Sequence, residues 1–60
     1  MKATEIDEYA RQLWETSGAT AVAEAAQKVL TFEQNGDKEQ AETWRRIEAA
    51  LVQMKGPRES

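Results

Sequence analysis

The sequence predicts an all-α fold, a small domain of three helices. Apolar residues recur with the helical period in three segments. No segment sustains the alternation of apolar and polar residues that marks a half-buried strand. The 3 glycines and the 1 proline fall only where the periodic segments stop. Helices are expected over roughly 4–17, 20–34 and 38–55.

The first segment reads TEIDEYARQLWETSG. Ile6, Tyr9, Ala10, Leu13 and Trp14 fall at i, i+3, i+4, i+7 and i+8, one face of a helix. Thr4 stands where an N-cap belongs. Asp7, three residues on, takes the place of the usual Glu or Gln of a capping box. Glu5, Asp7 and Glu8 lie near the start, where the helix dipole favours negative charge. Gly18 supplies the residue type that ends many helices in a left-handed conformation.

The second segment reads TAVAEAAQKVLTFEQNG, with Thr20 as its cap. Val22, Ala25, Ala26, Val29, Leu30 and Phe32 make a broad apolar stripe. Its first half is rich in alanine, so another helix can approach closely there. Glu24 and Lys28 fit an i,i+4 ion pair worth a few tenths of a kcal/mol. A single glycine costs a helix only about 1 kcal/mol. Two helices and one kinked helix therefore both fit the joint after Ser17.

The third segment follows Asn35-Gly36. Asp37 reads as an N-cap with Gln40 at the third helical position, a capping box. Ala41, Trp44, Ile47, Leu51 and Met54 share a face, and Glu42 and Arg46 brace another. Gly56-Pro57 ends the helix, because proline cannot continue it. The last residues, Pro57 to Ser60, read as a frayed end. A stop and a cap coincide at Asn35-Gly36-Asp37, which predicts an antiparallel hairpin at that corner.

Length and composition bound the rest. The 60 residues make one domain, 1–60. A domain of this size buries only about 60% of the surface that its unfolded chain exposes. Small folds of this kind lean on disulfides, metals or partners. The chain has no cysteine and no histidine, so disulfides, thiolate sites and imidazole ligands are excluded. Self-association or a partner protein is left as the support. A net charge of −3 opposes nonspecific binding to phosphate, so nucleic acid is not an expected partner. No apolar run approaches the roughly 20 residues of a membrane span. The opening MKATEIDEYA contains no apolar stretch of the secretory kind. A cytoplasmic, bacterial-type protein is the expectation.

An early A-x-x-L-W is present as Ala10 and Leu13-Trp14. A mid-chain glycine before alanines is Gly18. A G-D pair is Gly36-Asp37, and W-x-x-I follows as Trp44-Arg45-Arg46-Ile47. In this pattern the chain resembles a family of short alphaproteobacterial proteins known only as a domain of unknown function. The resemblance spans nearly the whole chain and rests on caps and core positions. It implies a small helical fold and carries over no activity.

Tyr9, Trp14, Phe32, Trp44, Leu51 and Met54 are the candidate protein-interface residues. Large rings on apolar helix faces are core residues first. Tryptophan is also enriched in binding hot spots, and three short helices have little interior for four aromatic rings. Arg45-Arg46 suggests phosphate, but carboxylates flank the pair. Pairing with Glu42 and Glu48 on a solvated face accounts for it. Glu5, Asp7, Glu8, Glu39 and Glu42 do not suggest acid–base chemistry, which needs a recessed site to shift a pKa. Ser17, Thr20 and Thr31 have no histidine to activate them. No catalytic, cofactor-binding or metal-binding residue is expected.

The charge is also uneven. Seven acids and three bases lie in residues 1–37, against four and five in 38–60. The reading that fits best is a non-enzymatic interaction module, homodimeric and binding another protein. One rival is a small acidic inhibitor of the phage-borne, anti-CRISPR-like kind, docking on a nucleic-acid-processing complex. Another is a small DNA-binding regulator using Arg45 and Arg46, which the acidic net charge opposes.

Overall fold

The computed structural model describes residues 2–56. Three helices account for it: α1 (Ala3–Ser17), α2 (Thr20–Gln34) and α3 (Lys38–Lys55). There is no strand among the described residues. The fold is a small all-α bundle. The stretch expected to fray, Pro57 to Ser60, lies outside the described residues.

Helix α1 starts one residue before the expected position, and Lys2 rather than Thr4 is its N-cap. The first helical bond runs from the Ile6 N–H to the Lys2 carbonyl at 3.0 Å. Glu5 then sits at the third helical position. Its carboxylate accepts from the Lys2 N–H at 3.4 Å. That is the reciprocal arm of a capping box, and it satisfies an orphan donor without a hydroxyl at the cap. Glu5 therefore does locally what was expected of Asp7, and Thr4 is an ordinary exposed helical residue.

The joint after Ser17 makes two helices, not one kinked helix. Gly18 has φ 61°, ψ −140° and Ala19 has φ −62°, ψ −23°. These are close to the central dihedrals of a type II′ turn, whose first position favours glycine. Thr20 is the first helical residue of α2 and Ala19 its cap, so Thr20 does not cap. The N–H groups of Ala21 and Val22 donate to the Gly18 and Ala19 carbonyls at 3.0 and 3.1 Å. Such i→i+3 bonds tighten a first turn and replace a side-chain cap.

The corner between α2 and α3 follows the expected chemistry more closely. The Asp37 N–H donates to the Phe32 carbonyl at 2.9 Å and the Gly36 N–H to the Glu33 carbonyl at 3.1 Å. Together they form a Schellman motif with Gly36 at φ 77°. Asp37 then caps α3, its Oδ1 accepting from the Gln40 N–H at 3.2 Å. The capping box stays half-formed, because the Schellman bond has already taken the Asp37 N–H.

Packing is uneven. The α2–α3 pairing is the most extensive, while α1 lies chiefly on α3 and touches α2 little. The buried set is Ile6, Ala10, Ala21, Ala25, Val29, Ala41, Ile47 and Leu51. Ile47 and Leu51 are the largest side chains that are fully buried. They share the core with Ile6 and Ala10 of α1 and with Ala21 and Ala25 of α2. Close approach of the helices is thus written into Ala10, Ala21 and Ala25. Leu13, Trp14, Val22, Trp44, Ala50 and Met54 close the margin of this core. No polar or charged side chain is buried among the described residues.

Candidate functional site

The surface with the most distinctive chemistry lies where α1 crosses α3. Tyr9, 38% exposed, meets Trp44 edge to face, with centroids 5.7 Å apart and planes inclined by 76°. Such a pair is worth roughly 0.5–1.5 kcal/mol beyond the area it buries. The Lys28 ammonium from α2 lies 6.0 Å from the Trp44 centroid, at the outer reach of a cation–π contact. One indole therefore ties all three helices together at the surface. The expected Glu24–Lys28 ion pair is not made, since the lysine turns toward the ring.

The remaining candidates divide. Trp14, Phe32 and Met54 are half-buried, and Trp14 and Met54 border the core. Leu51 is fully buried inside the chain and presents no surface. It sits on α3 four residues after Ile47, in the core with Ile6 and Ala10 of α1 and Ala21 and Ala25 of α2. Two exposed large apolar residues stand outside the interface candidates: Leu30, expected in the apolar stripe of the second helix, at 53%, and Val52 at 48%. Leu30 was legible. The buried row of α2 is Ala21, Ala25 and Val29, at steps of four. Val22, Ala26 and Leu30 form the adjoining row, which emerges progressively from the core.

Arg46 takes its expected partner, and Arg45 takes one that the sequence did not indicate. Arg45 bridges to Glu33 of α2, and Arg46 lies 3.6 Å from Glu42, one turn earlier on α3. Glu48 takes no part in either pair. An open groove of about 840 Å³ runs past this cluster at the α2–α3 corner, lined by Glu33, Lys38, Glu42, Arg45 and Arg46 among others. Each arginine already faces a carboxylate, so the groove offers phosphate a mixed field. These exposed pairs are worth at most about 1 kcal/mol each. On α1, a shallow depression is lined by Asp7, Glu8, Glu15 and Arg11, the outward acidic face.

Two threonine hydroxyls are engaged locally. Thr31 and Thr43 donate to the carbonyls of Gln27 and Glu39, both at 3.0 Å. Among the described residues no group of three or more carboxylates is placed to hold a metal ion. No helix there is long and apolar enough to cross a membrane. No family model, curated protein or solved structure matches this chain, so the residues alone carry the functional argument.

Proposed function

We propose that the protein is a non-enzymatic protein-binding module that pairs with a second copy of itself. The observation that carries this is the Tyr9–Trp44 contact, an aromatic pair left at the surface beneath Lys28. Tyrosine and tryptophan supply large, stiff contact area at small entropic loss, which is why they dominate hot spots. Trp14, Phe32 and Met54, each half-buried, add apolar surface elsewhere on the bundle. In this arrangement α2 and α3 run as an antiparallel hairpin. Support comes from Lys28 of α2 and Trp44 of α3, which stand eight residues to either side of Gly36 and meet across the pair.

The acidic outer face of α1 supports a second reading, an inhibitor that docks on a basic surface of a nucleic-acid-processing complex. Binding of that kind weakens steeply with salt, whereas apolar pairing does not. The two indole N–H groups, of Trp14 and Trp44, are reporters for the first reading. A dilution series followed by proton–nitrogen correlation spectra, with Trp14→Phe to assign the signals, tests it. At least one of the two indole signals is expected to shift or double as concentration rises, Trp44 where copies meet at its ring and Trp14 where they meet through the joint after Ser17. Signals that stay fixed over a thousandfold range contradict self-association.

A further inference from the structure

We propose that the second copy is engaged by exchange of α1: the Gly18-Ala19 joint straightens, and α1 docks on α3 of the partner chain. The inference rests on the self-association reading above and specifies the contact that carries it. Four observations lead there.

The joint is only two residues long, and α1 is held mainly by α3 rather than by its chain neighbour α2. Exchange therefore keeps nearly all the contacts of α1, including Tyr9 on Trp44, and gives up only the slight α1–α2 contact. Short hinges of this kind favour swapping, and mutual exchange closes into a two-fold dimer.

The apolar phase runs through the joint without a break. Ile6, Ala10, Trp14, Ser17, Ala21 and Ala25 follow at steps of four, four, three, four and four, and all are buried or half-buried. A turn that merely reverses the chain does not require the two stripes to keep one helical phase. A continuous helix does.

The backbone at the joint is held in its present form by one residue. Gly18, at φ 61° and ψ −140°, occupies a region open to glycine and closed to other residues. A Cβ built there meets nothing within 4 Å, so the restriction is conformational and not steric. No proline lies between Ala3 and Gln34 to stop a continuous helix.

Finally, the Ala19 N–H makes no backbone hydrogen bond in the turn. Straightening aims it at the Glu15 carbonyl, the ordinary i→i−4 partner. Exchange is thus the arrangement in which this donor is satisfied within the chain.

Two substitutions push the equilibrium in opposite directions. Gly18→Ala disfavours the turn and favours the continuous helix, because alanine is the better helix former. Ala19→Pro fits the turn, where φ is already −62° and the N–H is unused. It breaks the continuous helix, where proline clashes with the preceding turn. Light scattering behind gel filtration, with circular dichroism to check helicity, reads the result. Wild type is expected to form dimer as concentration rises. Gly18→Ala is expected to shift the dissociation constant at least tenfold toward dimer, and Ala19→Pro to stay monomeric and helical.

A distance measurement identifies the exchanged form even if Gly18→Ala fails to fold. Spin labels on cysteines placed at the exposed positions Thr4 and Gln34 lie about 45 Å apart along a continuous helix at 1.5 Å per residue. That exceeds the 36 Å longest dimension of the compact chain. With labelled chains diluted into unlabelled ones, the wild-type dimer is expected to show the long distance. A dimer that shows only the short distance, or Ala19→Pro dimerising as well as wild type, overturns the exchange and leaves self-association standing. Wild type and Gly18→Ala both remaining monomeric and helical overturns the two together.

Discussion

Asp37 shows how much a single polar side chain decides. Its carboxylate accepts from the Gln40 N–H, and its own N–H closes the Schellman motif of α2. Asp37→Ala removes the first bond and keeps the second. Because the site is exposed, water takes over part of the role, and a loss of about 1 kcal/mol is expected. Thermal melts at equal concentration check it, and an unchanged midpoint means the cap contributes nothing. Gly36 acts through the backbone alone, since a Cβ there meets no atom within 4 Å. Gly36→Val forces a β-branched residue to φ 77° and should cost on the order of 1–2 kcal/mol in urea titrations. This corner was legible because glycine and aspartate each have few uses after a helix. The start of α1 was less so. Thr4 is the better cap by residue type, yet Glu5 reaching back to the Lys2 N–H moved the helix start by one position. Propensity ranks the candidates, whereas the available hydrogen bonds choose among them.

Among the helices, α3 is the element on which the other two depend. It carries Ile47 and Leu51, the large side chains that are fully buried, and it alone packs extensively on both neighbours. Leu51→Ala should remove roughly 2–5 kcal/mol. A chain of 60 residues has about 3–9 kcal/mol in total. Circular dichroism should therefore find this variant largely unfolded, or nearly so, at room temperature. A melt within a few degrees of wild type means Leu51 is not central. Periodicity placed all three helices to within a residue, because the apolar spacing of each is close to ideal. It did not separate Leu51 from Trp44 on the same face. One lies in the core with Ile6 and Ala10 of α1 and Ala21 and Ala25 of α2, while the other is half-exposed against Tyr9. That difference depends on which helix lies opposite, and spacing within one helix carries no record of it. The long-range partners were illegible for the same reason: Arg45 with Glu33, and Lys28 over Trp44.

For the whole molecule, the sequence suggested more apolar surface than three short helices can cover. The structure locates the remainder at Tyr9, Leu30 and Val52, and at the half-buried Trp14, Phe32, Trp44 and Met54. Burial recovers about 25 cal/mol per Å² of such surface. A net charge of −3 on each copy resists association only weakly at ordinary ionic strength. Apolar pairing should therefore outweigh repulsion, and folding should be linked to dimer formation. Sedimentation equilibrium of the unmodified chain from low micromolar to millimolar concentration tests this most directly. The mass is expected to climb from 6.8 kDa toward twice that value, with little sensitivity to added salt. A mass that stays at 6.8 kDa across the whole range would contradict it.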